Sequence, residues 1–391
     1  QRARHCFTVC GGEVMATPKL RFDGFSGNWV TTQLGNVCSF TQGVQIPQSE
    51  QINEERNGYI RYLYIRDFFS DKFKCYVPNI YPEKIIHPHE IMMVNTGNTT
   101  GEAYTGRYGV LSNNSFKISY DLAHFNDQFM YLFCSSELAQ NQIKKFFNAG
   151  GQPHLGHKNI SQILISYPKK EEQTQIASFL SSVDEKISQL TQKHALLNQY
   201  KQGLMQKLFS QQIRFKADDG SEFGEWEEIA LGKIKGVSIA SGKSSHEKLE
   251  LAKYYYYGST GVIGYSNEFD YQGTRILIAR VGHNAGYIYM VSGQYNVSDN
   301  TLILELPSNL DYIFIRAFLE KFQLNKLVFG TGQPLITGSL LKKVVIQVPC
   351  LEEQTKIANF LSAIDQKIEV VAQQIEQAKQ WKKGLLQQMF V

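Results

Sequence analysis

Two stretches of the chain repeat apolar residues at alternating spacings of three and four. From Glu171 onward the repeating positions include Ile176, Phe179, Val183, Ile187, Leu190, Leu197, Leu204 and Leu208. From Glu352 onward they include Ile357, Phe360, Ile364, Ile368, Val371, Ile375 and Leu385. This spacing is the a/d seam of a coiled coil. It predicts two long amphipathic helices, the first about 58 Å long at 1.5 Å per residue.

A single helix with such a seam could equally be packed inside one domain core, but two matched copies favour pairing with each other. The seam is interrupted by polar residues at His194, Lys201 and Lys382. Such residues fit poorly at a and d positions. We therefore expect these layers to meet additional partner helices or to hold water.

The two helices belong to an internal duplication. The segment EEQTQIASFLSSVDEKI begins at Glu171 and EEQTKIANFLSAIDQKI begins at Glu352, with twelve of seventeen positions identical. A GQP triplet at 151–153 recurs at 332–334, and Gly27 and Trp29 match Gly224 and Trp226. The middle of each half diverges and the second half is shorter there. This pattern is expected when one scaffold carries two different binding surfaces.

The divergent segments look rich in strands, at 61–69, 254–257, 275–281 and 301–306, with shorter amphipathic helices at 127–147 and 311–329. The predicted fold class is α+β, with an internal pseudo-two-fold duplication. Residues before Met15 look like an extension and are left out of the fold. The predicted domains are an N-terminal extension over 1–17, an α+β domain over 18–170, a central helix over 171–212, a second α+β domain over 213–351 and a C-terminal helix over 352–391.

Composition narrows the class of protein. Hydrophobic residues make up 42% and charged residues 19% of the chain, which argues against wholesale disorder. The net charge of +4 is small, so nucleic-acid binding would have to rely on local patches. The six cysteines include no CxxC pair, which argues against a disulfide framework or a zinc site. No apolar run is long enough to span a membrane. These features predict a cytoplasmic protein.

Signals for catalysis are weak. Gly242, Lys243 and Ser244 resemble the end of a phosphate-binding loop, but the preceding Gly236 is one residue too far away. His87 and His89 have no third ligand nearby, so an exposed loop is favoured over a metal site. We therefore predict a non-catalytic protein without a metal site.

Beyond the residues themselves, the chain resembles a known family, the specificity subunits of Type I restriction-modification enzymes. The resemblance runs from Pro18 to Val391 through PKLRF, GNWVTTQLGNV, GQPHLGHKNI and YPKKEEQTQIASFLSSVDEKI, and the doubled EEQT segment after a GQP loop is its most specific element. It implies two target recognition domains, each binding half of a split site in double-stranded DNA. It also implies that the long helices form an antiparallel coiled coil that docks two methyltransferase subunits, joined by two restriction/translocase subunits in the full complex. The resemblance also implies that the chain itself binds no cofactor, because S-adenosylmethionine, ATP and Mg would be bound by the partner subunits.

The candidate DNA contacts are polar residues in the loops of each variable segment. Arg and Lys suit guanine or phosphate, and Asn and Gln suit adenine. The candidates are Gln42, Gln45, Arg61, Arg66, Asn95, Asn98, Thr99 and Gln152 in the first half, and Ser241, Lys243, Ser244, Arg280, His283, Asn284 and Gln333 in the second. Two unlike recognition domains on a rigid spacer predict an asymmetric target whose halves lie about 34 Å, one helical turn, or a comparable fixed distance apart.

Two other functions are compatible with parts of the pattern. A coiled-coil scaffold or adaptor with two protein-binding domains would capture a protein partner and ignore DNA at low salt. A stand-alone enzyme fused to a recognition module would transfer methyl groups by itself, although the duplication already accounts for both halves.

Overall fold

The computed structural model describes residues 8–10, 13–147, 153–327 and 334–391. The chain divides into two compact units. The first comprises Gln1–Gln189 and Ile375–Val391, and the second comprises Leu190–Gln374. Each unit therefore combines a sheet-rich domain with the start of one long helix and the end of the other.

In the part that the structure describes, the first unit begins with twelve strands and three short helices. The strands are β1 (Thr8–Cys10), β2 (Glu13–Ala16), β3 (Trp29–Gln33), β4 (Cys38–Gln42), β5 (Tyr59–Leu63), β6 (Cys75–Pro78), β7 (Ile85–Ile86), β8 (Ile91–Val94), β9 (Ala103–Tyr104), β10 (Gly109–Leu111), β11 (Ser115–Tyr120) and β12 (Leu164–Tyr167). The helices are α1 (Asp127–Ser135), α2 (Glu137–Lys144) and α3 (His157–Ile160), and the long helix α4 (Lys170–Phe209) follows.

Over its described residues, the second unit has ten strands and two short helices. The strands are β13 (Glu227–Ala230), β14 (Ser238–Ser241), β15 (Tyr254–Gly258), β16 (Gly261–Ser266), β17 (Tyr271–Gln272), β18 (Arg275–Ala279), β19 (Ile288–Val291), β20 (Gln294–Val297), β21 (Thr301–Glu305) and β22 (Val345–Val348). The helices are α5 (Tyr312–Phe322) and α6 (Gly338–Lys342), and the second long helix is α7 (Leu351–Met389).

The duplication is visible in the sheet topology. The first unit has sheets of order β4-β11-β8-β9 and β6-β5-β10-β7, and the second has β14-β21-β18-β19 and β16-β15-β20-β17. Over the described residues, each unit has one parallel pairing within these sheets, β5 with β10 in the first unit and β15 with β20 in the second. The sheets that contain these pairs, β6-β5-β10-β7 and β16-β15-β20-β17, are called the mixed sheets. The divergent sequences therefore fold on the same strand order, and the two-domain α+β architecture agrees with the sequence analysis.

Two short segments near the start of the chain, Thr8–Cys10 and Glu13–Ala16, take part in a sheet, although they fall within the extension that the sequence predicts. Strand β2 pairs antiparallel with β3, with Val14 opposite Thr31, and β1 pairs with β2. Strand pairing uses backbone groups that every residue carries, so it can recruit a segment whose side chains give no periodic signal.

Some predicted elements are shorter than expected. The strand predicted over 61–69 ends at Leu63 and a 3₁₀ turn, Ile65–Phe68, follows. The side chain of Asp67 accepts a hydrogen bond from the Tyr64 backbone at 2.9 Å, which stabilises the turn instead of the strand. The helix predicted over 127–147 breaks at Ser136, whose hydroxyl accepts from Ala139 N and caps α2.

The repeated Glu-Glu-Gln-Thr segments join each long helix to its sheet domain. Glu172 is buried and accepts two hydrogen bonds from the Arg21 guanidinium at 2.7 Å, with the Trp29 indole at 3.4 Å. The next residue, Gln173, accepts from the Asn126 backbone at the start of α1 at 3.0 Å. These contacts fix where α4 begins relative to β3 and α1.

The second unit repeats this arrangement. Glu353, also buried, accepts hydrogen bonds from Arg214 at 3.1 and 2.7 Å and from the Trp226 indole at 3.1 Å. Gln354 accepts from the Asp311 backbone at 2.9 Å, at the start of α5. The identity of these positions between the halves is thus explained by structure rather than by ligand binding.

Seam residues near the ends of both long helices lie in the cores of the units. In the first unit, Ile176 and Val183 of α4 share a core with Leu385, Met389 and Phe390. In the second unit, Leu208 of α4 shares a core with Ile357 of α7. The start of each helix packs with the end of the other, so the helices run antiparallel. Every seam residue proposed from the sequence is buried or partly buried.

The two lysines in the seam each have a carboxylate partner on the other helix. In the first unit, Lys382 Nζ lies 2.6 Å from Asp184 Oδ1. In the second unit, Lys201 Nζ lies 2.6 Å from Asp365 Oδ1. The two pairs are equivalent in the duplication. Each places a lysine of one helix against an aspartate of the other.

Candidate functional site

A loop after β4 in the first unit lies against the turn between β10 and β11. Gly43 N donates to Ser115 O and Val44 N donates to Leu111 O, each at 2.9 Å. A Cβ at Gly43 would lie 2.0 Å from Ser112 O, which is closer than any side chain tolerates. Glycine is therefore required for this close approach.

The second unit builds the same contact after β14. Gly242 N donates to Thr301 O and Lys243 N donates to Val297 O, each at 2.8 Å. A Cβ at Gly242 would lie 2.2 Å from Ser298 O. The glycine that resembled part of a phosphate-binding loop thus serves a backbone contact.

In the first unit this contact gathers four amide side chains, here called the first loop cluster: Gln42, Gln45, Asn95 and Asn113. Asn95 Nδ2 donates to Gln42 Oε1 at 3.1 Å, and Asn113 Nδ2 lies 3.5 Å from Gln45 Oε1. Gln42 Nε2 also donates to Asn113 O at 2.6 Å. Asn95 is buried, whereas Gln45 is exposed. The cluster offers both donors and acceptors on a fixed backbone.

Equivalent positions form the second loop cluster: Ser241, Ser244, Arg280 and Asp299. An Arg280 guanidinium nitrogen lies 3.3 Å from Ser241 Oγ, and Ser244 Oγ donates to Asp299 Oδ1 at 3.1 Å. Arg280 Nε is buried without a partner among the described residues. The same two pairs of positions therefore touch in both units, but amides occupy them in the first unit and charged or hydroxyl groups in the second.

In each unit a buried tyrosine donates a hydrogen bond to the backbone of the loop. The Tyr62 hydroxyl donates to Val44 O at 2.6 Å, and the Tyr256 hydroxyl donates to Lys243 O at 3.0 Å. Burial raises the pKa of Tyr62 to about 12, and it also raises the pKa of Tyr256 above its ordinary value. Both hydroxyls therefore stay protonated and remain donors near neutral pH.

A glycine-flanked turn lies next to each cluster in sequence. Gly97 N donates to Pro153 O at 3.2 Å, and Gly282 N donates to Pro334 O at 3.0 Å. The candidates on these turns are Asn98 and Thr99 in the first unit and His283 and Asn284 in the second; Thr99 is partly buried and the others are exposed. The candidates Gln152 and Gln333 lie outside the described residues.

The remaining candidates have other surroundings. Arg61 is engaged within its own unit, donating to Asp67 at 2.8 Å and to Asp71 at 2.7 Å. Arg66 is exposed, with its guanidinium 4.7 Å from the centre of the Tyr64 ring. Lys243 is exposed beside the second loop cluster.

Six of the eight cluster residues are among the candidates predicted from the sequence, whereas Asn113 and Asp299 are not. Both lie in the turn that precedes β11 or β21, and nothing in their local sequence separates them from ordinary turn residues. The matching positions of the two halves would have pointed to them only with the strand pairing known.

Other kinds of site receive no support from the described part of the chain. It contains no group of three or more His, Cys, Asp or Glu side chains arranged to hold a metal ion. None of the helices that the structure describes is both long and apolar enough to cross a bilayer.

Comparison with known proteins gives a consistent result over both halves. The family model described as Type I restriction modification DNA specificity domain matches residues 26–199 and 224–380. The Type I restriction enzyme MjaVIII specificity subunit of Methanocaldococcus jannaschii is 28% identical, covering 92% of this chain and 91% of that protein. The EcoprrI specificity subunit of Escherichia coli is 23% identical, covering 72% of each.

Solved structures share the fold. The S subunit of a type I restriction-modification system from M. genitalium aligns with a TM-score of 0.60 at 17% identity, covering 96% of this chain and 99% of that one. A chain from a structure on complex assembly and conformational transition of the type I R-M system aligns with a TM-score of 0.58 at 18% identity, covering 92% and 96%. Since the family model matches most of the chain in two copies, the chain belongs to the type I restriction-modification specificity subunits, which recognise DNA and are not catalytic.

Proposed function

We propose that this chain reads a two-part, asymmetric target in double-stranded DNA, with one half-site bound at each loop cluster. The observation that carries the proposal is the pairing of equivalent positions in the two units. The backbone contacts at Gly43 and Gly242 are the same, while the side chains around them differ. A shared scaffold with exchanged polar side chains is what two different base sequences require.

The chemistry of the clusters suggests different bases. Glutamine and asparagine amides can donate and accept together, which suits the adenine edge in the major groove. A guanidinium only donates, which suits the two acceptors of guanine. We therefore expect adenine in the half-site bound near Gln45 and guanine in the half-site bound near Arg280.

Selection from randomised duplexes tests the proposal. The full chain should enrich one split sequence, and affinity should fall steeply with salt because phosphate contacts release counterions. Gln45→Ala should relax the preference in one half-site only, and Arg280→Ala in the other only. Each should cost about 1–3 kcal/mol of discrimination.

Lys186→Ala, an exposed substitution on α4, is the matched control and should leave the enriched sequence unchanged. The proposal fails if the wild-type chain enriches no sequence. The assignment of one cluster to each half-site fails if either loop variant alters both half-sites together.

Docking of catalytic partners on the long helices is the second part of the proposal. It is supported by family membership and by large apolar side chains that stay exposed on α4 and α7: Leu196, Tyr200, Val370 and Trp381. Exposed groups of this kind are typical of protein interfaces. The partners would be two methyltransferase and two restriction/translocase subunits, which would bind S-adenosylmethionine, ATP and Mg. Because their substrate is chromosomal DNA, the proposed location is the cytoplasm.

Co-purification with the methyltransferase subunit tests the docking. Substituting Tyr200 and Trp381 by alanine should weaken the complex, while Gln45→Ala should not. If the helix variants keep the wild-type affinity, Tyr200 and Trp381 are not part of the interface.

A further inference from the structure

The two units differ in the connection between their first two strands of the mixed sheet. In the first unit residues 64–74 join β5 to β6, whereas in the second only residues 259–260 join β15 to β16. We call residues 64–74 the first-unit insertion. It accounts for much of the extra length of the first half.

The first-unit insertion forms one wall of a cleft of about 780 Å³. The cleft is lined by Gln48, Gln51, Asn53, Tyr64, Arg66, Lys72, Phe73, Lys74 and Cys75. Three of these side chains are cationic and none is acidic. The lining itself thus carries three positive charges and no negative charge, on a chain whose net charge is only +4.

The acidic residues of the insertion do not neutralise this cleft, because they have other partners. Asp67 and Asp71 both accept hydrogen bonds from Arg61, and Asp71 lies 3.3 Å from Arg107 as well. The hydrogen bond from Arg61 holds the pKa of Asp71 below its ordinary value. Asp71 is therefore held in its charged form, and the two carboxylates are engaged by Arg61 and, for Asp71, also by Arg107.

The three cations of the cleft have no carboxylate within 4.0 Å in the part of the chain that the structure describes. Arg66 lies 4.7 Å from the centre of the Tyr64 ring and 5.9 Å from that of Phe73, and Lys72 lies 5.4 Å from Phe73. The exposed fraction of Phe73 is 59%. Ring contacts orient Arg66 and Lys72 without cancelling their charge, so the donors of these two side chains remain available to an anion.

The cleft is tied to the first loop cluster by a short, fixed segment. Gln51 Nε2 donates to Ile46 O at 2.8 Å, and the Tyr64 hydroxyl donates to Gln51 Oε1 at 3.0 Å. Ile46 is buried. Gln45 of the loop cluster and Gln48 of the cleft are three residues apart, which limits their separation to about 11 Å. That distance corresponds to about three phosphates along one DNA strand.

We propose that this cleft binds the phosphate backbone of duplex DNA beside the half-site read by the first loop cluster. The inference rests on the proposed function and adds an anchor to it. Arg66, Lys72 and Lys74 position the duplex and carry no sequence information, because phosphates are the same at every base pair. The two half-sites are therefore held unequally, since the second unit lacks the insertion.

The first test compares the full wild-type chain with a variant carrying Arg66→Ala, Lys72→Ala and Lys74→Ala. Binding is measured against the duplex enriched by selection and against a scrambled duplex, from 50 to 200 mM salt. The slope of log K against log salt is negative, and loss of three phosphate contacts should make it shallower by about 2.7. The ratio of wild-type to variant affinity should then shrink about 40-fold over this range. Both duplexes should be affected alike, and the preferred bases should stay the same.

A matched control carries Lys186→Ala, Lys193→Ala and Lys367→Ala, which removes three charges from exposed helix positions. It should keep the wild-type slope to within about one contact. A second variant, Lys72→Ala with Lys74→Ala, leaves Arg66 and its ring contacts in place and guards against a folding defect. This variant should make the slope shallower by about 1.8.

Neutral methylphosphonate linkages locate the contact on the DNA. Placed within about three phosphates of one half-site, they should weaken binding of the wild-type chain but have little effect on the triple variant. The same linkages beside the other half-site should affect both proteins equally. This cycle also separates duplex phosphate from free phosphate, since inorganic phosphate at constant ionic strength should not compete.

The outcomes separate this inference from the function on which it depends. If the wild-type chain enriches no duplex, the proposed function itself fails. If it enriches a sequence but the triple variant behaves like the helix control, the cleft does not bind phosphate and the function stands. A change in preferred bases in the triple variant, or competition by inorganic phosphate, would equally overturn the assignment.

Discussion

Replacing Glu172 by alanine should destabilise the first unit strongly, although this residue is far from any proposed base contact in sequence. Its carboxylate is buried and accepts two hydrogen bonds of 2.7 Å from Arg21. Removing one member of a buried ion pair costs about 3–5 kcal/mol, because the other charge is left without a partner. The Arg21 side chain is 18% exposed and can partly return to water, which favours the lower end of this range.

The Trp29 indole adds a smaller amount. Its hydrogen bond to Glu172 is long, at 3.4 Å, but the indole is buried and would lose its acceptor. An unsatisfied buried donor costs about 1 kcal/mol or more. The expected loss is therefore about 3–4 kcal/mol in the free energy of unfolding of the first unit, roughly a few hundred-fold in its equilibrium constant.

Hydrogen exchange resolved by segment measures this loss in each unit separately. Amides of β3 and β12 should lose protection in Glu172→Ala, whereas those of β13 and β22 in the second unit should change little. Glu171→Ala is the matched control. The side chain of Glu171 is next to Glu172 in sequence but exposed, so its removal should cost less than about 1 kcal/mol.

The second copy supplies an independent repeat of the experiment. Glu353→Ala should destabilise the second unit, with exposed Glu352→Ala as its control. A loss below about 1 kcal/mol for both Glu172→Ala and Glu353→Ala would refute the reasoning. It would mean that the repeated segment is not an anchor for the long helices.

Three further expectations follow from the helices. Lys382→Ala should cost about 0.5–1 kcal/mol, and exchanging Lys382 and Asp184 should recover most of it, as urea unfolding can show; no recovery would argue against the ion pair. Burial raises the pKa of Glu320 above that of an ordinary glutamate. The stability that protonated Glu320 contributes is therefore fully present below the ordinary glutamate pKa and is lost as the pH rises through the raised pKa. Neutral Glu320→Gln should therefore be at least as stable as the wild type at pH 7, with the difference vanishing near about pH 4; a less stable variant at pH 7 would contradict this. A fragment ending at Gln212 lacks Ile375–Val391 but carries the equivalent helix end of α4, so it should dimerise in sedimentation experiments; a monomer would contradict the pairing.

Much of this architecture could be predicted because it is written in local periodicity and in the duplication. Seam residues such as Val183 and Ile364 recur at a spacing that only a helix places on one face. Repetition of the same seam showed that there are two such helices. The expectation of an α+β domain before each one needed only the strand-like segments between them.

The packing beside the seam was less visible. Leu180 and Leu361 are fully buried yet lie outside the a/d pattern, because each helix also contacts its own sheet domain. Lys201 and Lys382 looked unfavourable when only the helix itself was considered. Their aspartate partners come from the other helix, at a distance in sequence that no local pattern encodes.

The sequence by itself determined the duplication, the two long helices and the family. Only the tertiary structure decided which polar side chains share a site, since Gln42 meets Asn95 and Ser241 meets Arg280 through strand pairings between distant segments. It also engaged Arg61 with neighbouring carboxylates. Periodicity reports which face of an element is apolar, whereas loop side chains are brought together by backbone hydrogen bonds that every residue can make.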